Sequence, residues 1–324
     1  MNNLISVGIW AFGSIPDRFC EKGYQEKKSF AEKVNAASKV KGLDGVEIHY
    51  NGDINKNNAY EAKQIIEASG LKVSAINCEI FGDSMFKKGA LTSRNNEIRQ
   101  KAVDLIKEAS EITEFFGASL VNIWPGAEGH DYPFQVNYFQ QWDVLIESIN
   151  EFIVTKPDVR FSLEYKLREP RVRSTISTAG TALVVVKELN HENLGVTIDF
   201  GHSLQARENP AEAVTLLQRY GKLFHVHVND NSRDWDDDLI VNSYHIWETL
   251  EFIYYLKKAN YTGWISLDVA PARENQIDAV EYCIESIKNM SALIEEIDTE
   301  ELHQALYDMD AVKAHRFISS KLFR

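Results

Sequence analysis

Cysteine is scarce in this chain: Cys20, Cys78 and Cys283 are three in 324 residues, an odd number with no CxxC pair among them. That excludes a disulfide framework or a thiolate cluster and fits a reducing compartment. Proline is sparse too, at seven, and no Pro/Gly/Ser-rich tract offers a linker, so one domain is expected. Positive charge is outnumbered, 35 Lys and Arg against 48 Asp and Glu, for a net charge of −13. Affinity for nucleic acid draws on clustered Lys and Arg, so none is expected here. No apolar run approaches the ~20 residues of a membrane span. The start, MNNLISVGIWAFG, lacks the basic, long-apolar pattern of a secretory leader. The expectation is a cytoplasmic protein without membrane contact.

What the sequence does contain is alternation. Eight short β-rich runs recur: ISVGIW from Ile5, GVEIHY from Gly45, KVSAINC from Lys72, SLVNIW from Ser119, VRFSLEY from Val159, LGVTIDF from Leu194, LFHVHVN from Leu223 and WISLDV from Trp264. Helical stretches lie between them. In EIRQKAVDLIKEASEITEFFG, Ala102, Leu105, Ile106 and Ala109 fall at i, i+3, i+4, i+7. Thr92 and Ser93 offer N-cap chemistry before it, and Gly117 offers a stop. Strand–helix alternation predicts parallel βαβ units. Eight of them suit a (β/α)8 barrel (TIM barrel) over residues 1–297, with an open doubly wound sheet second. No GxGxxG follows the first strand, so a dinucleotide fold lacks support. Residues 298–324 read as a C-terminal helical tail of the same domain, packed on the outside or making a subunit contact.

A barrel of this kind carries its site at the C-terminal strand ends. Four successive ends offer Glu164, Asp199, His227 and Asp268. Three carboxylates converging there would repel unless a divalent cation joined them, and this donor set suits Mn²⁺, with Mg²⁺ or Co²⁺ as alternatives. His225 and His227 alternate with Phe224, Val226 and Val228, so both should face the lumen. His202 and the DWDDDL loop, through Asp236 and Asp238, would meet Asp199 and form a second, adjoining cation site; Asp237 is the alternative to Asp236. In FSLEYKLREPR, Glu164 and Lys166 are two apart and point the same way. Glu164 would then ligate while Lys166 aims an ammonium at a developing oxyanion. The simpler reading of Lys166 is an ion pair with Glu169. Trp10, Phe12, Trp124 and Phe134 could stack on a ligand, and His49, Asp53, Glu79 and Phe81 are further candidates for a pocket wall.

These segments resemble the xylose isomerase-like (β/α)8 barrels, above all xylose isomerase and rhamnose isomerase. NIWPGAEGHDYPFQ is similar to the family's W-G-G-R-E-G segment, with Pro125 and Ala127 replacing Gly and Arg. LEYKLREPR resembles its E-P-K-P-x-E-P-R, DFGH its carboxylate-x-x-His step, and DWDDDL its D-x-D-L loop. HVHVNDN is similar to the rhamnose isomerase version, with histidine as the strand-seven ligand. The resemblance implies Glu164, Asp199, His227 and Asp268 at one metal, and His202, Asp236 and Asp238 at a second bridged by Asp199. It also implies Lys166 on the carbonyl oxygen of an open-chain sugar, His49 facing the substrate and Trp124 walling the pocket. The implied activity is a metal-assisted 1,2-hydride shift interconverting an unphosphorylated aldose and ketose (pentose or hexose) in a homodimer or homotetramer. A one-metal ketose 3-epimerase is the alternative. A zinc phosphodiesterase on the same barrel is disfavoured by the negative charge, and a sugar-binding protein would need neither Lys166 nor a second carboxylate loop.

Overall fold

The computed structural model describes residues 3–169 and 172–323. Pro170 and Arg171, the end of the LEYKLREPR segment, lie outside the described residues. Eight parallel strands form a closed barrel in which each pairs with its neighbours in sequence and the last with the first. They are β1 (Ile5–Gly8), β2 (Gly45–Tyr50), β3 (Lys72–Cys78), β4 (Val121–Ile123), β5 (Phe161–Glu164), β6 (Leu194–Asp199), β7 (Leu223–Val228) and β8 (Ile265–Leu267). Each falls within one of the expected runs, so the (β/α)8 architecture stands as read.

The main outer helices are α1 (Phe30–Ala37), α2 (Ala59–Ser69), α3 (Asn96–Phe116), α4 (Tyr138–Thr155), α5 (Ala179–Leu189), α6 (Phe200–Gln205), α7 (Pro210–Arg219), α8 (Ile246–Lys258) and α9 (Gln276–Ile297). In α3, Ala102, Leu105, Ile106 and Ala109 are buried, and Gly117 closes the helix at φ 69°, a left-handed turn that glycine adopts without strain. The N-cap is Asn95, not Thr92 or Ser93: the Asn95 side chain accepts the Glu97 N–H at 2.9 Å. Asparagine caps as well as serine, and the Thr92 hydroxyl is committed instead to buried Glu128.

The barrel lumen is polar. Bulky aliphatics usually fill it, but here Val226 and Val228 turn outward and hydrogen-bonding side chains lie inside, above a small apolar group of Ala75, Leu120 and Phe224. A register shift between Leu223 and His225 sets the Phe224 ring against Gly195, so Phe224 departs from the outward side that alternation predicts. Ser6 donates to Ser266 at 3.0 Å, and Thr197 donates to Asn122 at 2.7 Å while sharing a 2.6 Å bond with Ser162. These residues are fully buried or nearly so, and mutual satisfaction is what makes such burial tolerable.

Past the barrel, α10 (Glu300–Tyr307) and α11 (Ala311–Leu322) form the expected C-terminal helical tail. They bury Leu302, Ala305 and Ala314, and His315 packs on Trp247 of α8 with ring centroids 4.5 Å apart. Asp298, between α9 and α10, accepts from Lys258 and His303 at 2.6 and 2.7 Å. Burial opposes its ionisation, but these two hydrogen bonds outweigh it and hold the pKa near 2. A carboxylate with a folded pKa below its unfolded value of about 3.9 contributes stability above pH ~4 that is lost as pH falls through its folded value. Undocking of the tail, followed by Trp247 fluorescence, should therefore set in between pH 4 and 2, and Asp298→Asn should remove that acid-dependent component. Among the described residues no helix is long and apolar enough to cross a membrane.

Candidate metal centre

Parallel register sets the candidate ligands level with one another. Asp199 lies opposite His227 across β6 and β7, and Glu164 opposite Thr197 across β5 and β6. The candidate side chains from the C-terminal ends of β5 to β8 converge at the barrel mouth. Ligand atoms of Glu164, Asp199, His227 and Asp268 all lie within 4.8 Å of one another, as do those of Asp199, His202 and Asp236. Asp199 belongs to both groups.

Each side chain is oriented by a neighbour. Asp199 ends β6 and caps α6, its Oδ1 accepting the His202 N–H at 2.7 Å; its Oδ2 accepts from Asn229 at 3.1 Å. His202 donates from Nδ1 to the Tyr165 carbonyl at 2.9 Å, which turns Nε2 toward Asp236, 3.2 Å away. Asp268 accepts the Trp10 indole N–H at 2.8 Å, leaving its other oxygen 3.3 Å from His227 Nδ1. Glu164 receives Asn122 at 2.7 Å and faces the same His227 Nδ1 at 3.2 Å.

In the DWDDDL loop Asp236 and Asp237 face opposite ways. Asp236 points inward, whereas Asp237 turns away to accept from Ser232 N and Oγ at 2.9 and 2.6 Å. Asp238 also lines the cavity, on a left-handed backbone at φ 48°, a conformation that aspartate tolerates better than most residues. The Lys166 ammonium is buried between Asp236, 2.6 Å away, and Glu169. The pairing with Glu169 expected from the simpler reading is thus present, and Asp236 is added to it. Glu169 is held there by a small antiparallel sheet of Gly129–His130, Val172–Ser174 and Arg168–Glu169.

Electrostatics mark these groups as under-neutralised. Burial pushes Asp199 up to about 6, with the Asp236, Asp268 and Glu164 carboxylates adding to the shift and His202 opposing it. Asp238 is driven well up by burial and by Asp236. Burial also opposes the charge on His202, yet Asp199 and Asp236 raise its pKa to about 9. For Glu164 burial is outweighed by His227, and the pKa falls to about 2. For Lys166 burial is outweighed by Asp236 and Glu169, and the ammonium is kept. One buried atom, Asp236 Oδ1, has no hydrogen-bond partner. An orphaned carboxylate oxygen, mutually repelling acids and imidazole nitrogens aimed at them fit a divalent cation of the Mn²⁺, Mg²⁺ or Co²⁺ type.

The opposite side of the mouth is aromatic. Trp10 stacks on His49 at 4.4 Å with planes 8° apart, Phe81 meets His49 edge-on at 6.3 Å, and Trp124 lies 4.4 Å from Phe81. Lys166 Nζ sits 4.8 Å from the centre of the Trp124 ring. Gly126 allows this: a Cβ there would come within 2.6 Å of the indole. Together these residues line a cavity of about 200 Å³.

Phe12, expected on this wall, is instead fully buried in the hydrophobic core. It ends a 3₁₀ turn at Ile9–Phe12 in which Trp10 takes the cavity-facing position, so Phe81 serves where Phe12 was expected. Phe134 is fully exposed, outside the cavity. Asp53 pairs with Lys33 at 2.6 Å and accepts the His49 backbone N–H at 3.2 Å, bracing the wall from behind. Glu79 is not among the cavity-lining residues. The reading of strand ends passed over Glu47, Asn77 and Asn122, which lie in the lumen below the mouth. Glu47 had one available signal: it alternates with His49 on a strand whose neighbours are apolar, and a buried glutamate requires partners.

A closed parallel barrel whose mouth gathers two adjoining carboxylate–imidazole groups beside an aromatic-walled cavity defines the class. The chain belongs to the xylose isomerase-like TIM barrel family, whose model matches residues 34–302. It is 29% identical over 224 residues to the xylose isomerase of Thermus thermophilus, covering 67% of this chain but only 58% of that protein's length. Among solved structures, a D-tagatose 3-epimerase-like protein superposes with a TM-score of 0.69 at 22% identity, covering 91% of this chain and 100% of that one. An L-ribulose 3-epimerase gives 0.69 at 13% identity over 92% and 99%. At these identities the structural likeness is one of fold.

Proposed function

We propose that the protein is a divalent-metal-dependent aldose–ketose isomerase acting on an unphosphorylated pentose or hexose. The observation that carries this reading is the buried Lys166 ammonium, 2.6 Å from Asp236, beside two ligand groups that share Asp199. Glu164, Asp199, His227 and Asp268 would hold one cation, and Asp199, His202, Asp236 and Asp238 a second. When bound, the cations supply Lewis-acid polarisation of the substrate's adjacent oxygens.

The chain's own residues supply the rest. An aldose–ketose exchange moves a hydride between C1 and C2 and a proton between their oxygens. Lys166 would donate to the oxygen on which negative charge grows, from a buried position where that interaction is strong. Trp10, Phe81 and Trp124 would cover the sugar's C–H faces and exclude water, while His49, fixed by its stack on Trp10, would face a substrate hydroxyl.

A 3-epimerase is the second reading. It is favoured by the way Glu164 and Asp268 flank His227 Nδ1 at 3.2 and 3.3 Å, as an acid and base on opposite faces of a carbon would. That reading gives Lys166 and the DWDDDL carboxylates no role. The test is Mn²⁺ stoichiometry on stripped and reloaded protein, alongside a panel of pentoses and hexoses. Two ions with aldose–ketose interconversion support the isomerase, and Asp236→Asn/Asp238→Asn should then retain one ion and lose turnover. One ion with ketose epimerisation moves the assignment to the epimerase, and no bound ion sinks both.

A further inference from the structure

Directly beneath the mouth, the side chain of Glu47 is fully buried on β2 and gathers three donors. Oε1 accepts from His225 Nε2 at 2.5 Å, and Oε2 accepts from His227 Nε2 at 3.1 Å and from Asn77 Nδ2 at 2.7 Å. The line of bonds continues: Asn122 donates to Asn77 Oδ1 at 2.7 Å and to Glu164 Oε2 at 2.7 Å. Every proton along this belt has a fixed direction, because an ionised carboxylate only accepts and each Asn amide nitrogen only donates.

We propose that Glu47 is a positioning residue that locks His227 in its Nε2–H tautomer and so reserves Nδ1 as a donor to the cation at the inner site. The geometry leaves little choice. Nε2 is committed downward to Glu47, and Nδ1 looks up at Glu164 Oε1, 3.2 Å away, and Asp268 Oδ2, 3.3 Å away. A carboxylate behind a ligating imidazole both selects the nitrogen that binds and raises its basicity. The same carboxylate reaches Glu164 through Asn77 and Asn122, so one buried charge orients two of the four inner-site donors. Glu47, His225 and His227 also form a compact group of possible ligands, but a nitrogen 2.5 Å from a carboxylate oxygen is a hydrogen bond with no room for an ion between them.

The inference rests on the inner group holding a cation, and the experiment separates the two claims. Mn²⁺ binding is measured by calorimetry on full-length wild type and Glu47→Gln, a change that preserves volume. Tautomers are read from ¹⁵N shifts of labelled histidine in Mg²⁺-loaded protein, with His227 assigned by loss of its signals in His227→Gln. The expected result is two sites in wild type, a roughly 10- to 100-fold weaker affinity at one of them in Glu47→Gln, and an Nε2–H signature for His227 in wild type. Failure of wild type to bind Mn²⁺ would remove the metal reading itself. Two sites of unchanged affinity in Glu47→Gln would overturn the positioning role alone. A proton on Nδ1 of wild-type His227 would do so too, even if Glu47→Gln did not fold. A third Mn²⁺ in wild type that disappears in Glu47→Gln would make Glu47 a ligand and also reject the proposal.

Discussion

Replacing Lys166 by methionine should lower kcat for sugar interconversion by ~10²–10³-fold, the usual loss when one donor to a developing oxyanion is removed, while both cations stay bound. Methionine matches the length of the lysine stem and keeps the contact with Trp124, so the wall should hold its shape. The change frees Glu169 and removes one of two partners from Asp236, which keeps His202 at 3.2 Å. The measurement is kcat and KM beside Mn²⁺ stoichiometry. A variant that turns over normally with two ions bound would mean that Lys166 is only a neutralising partner for the two acids. A variant that loses an ion would mean that the ammonium supports the ligand loop rather than the reaction.

The second large effect is expected at Asp199, the residue common to both ligand groups. Asp199→Asn preserves the cap of α6, because asparagine caps a helix as well as aspartate, but it removes charge from both sites and sets an amide against Asn229. Affinity should fall by roughly a hundredfold or more at both sites, with activity lost. The metal-free proteins should behave in the opposite sense. Asp199 has a folded pKa raised to about 6, above the unfolded value of about 3.9, so its ionisation destabilises the fold progressively as pH rises from ~4 through 6. At pH 7 without metal, Asp199→Asn should therefore melt above wild type, with the gap closing below pH 6. With Mn²⁺ added, wild type should melt higher. Paired thermal melts with and without chelator test both halves, and a wild type that is the more stable in every condition would contradict the account.

The barrel was legible because its signal is distributed. Eight β-rich runs alternating with amphipathic helices leave few other topologies, and the ring from Glu164 to Asp268 could be read because those residues end consecutive strands. The belt around Glu47 was not legible in the same way. Asn77, Asn122 and Thr197 are ordinary polar residues, and only the register that sets them side by side makes them a network. Phe12 illustrates another limit. A 3₁₀ turn reverses the side that alternating residues face, so Trp10 enters the cavity while Phe12 enters the core. That Asp236 rather than Asp237 faces the cavity depends on loop geometry, namely the turn anchored by Ser232, which spacing alone does not encode.

The mouth of the barrel divides into two halves. Staves β5 to β8 supply the carboxylates, imidazoles and ammonium, while β1 to β4 and the segments after them supply Trp10, His49, Phe81 and Trp124. Such a partition separates what is done from what it is done to. Exchanges at Phe81, which packs against His49 and Trp124, would reshape the cavity from a position one residue removed from the charged donors. On the proposed isomerase reading, a descendant of this chain would move from one sugar to another along one half of the ring while the other half stood still.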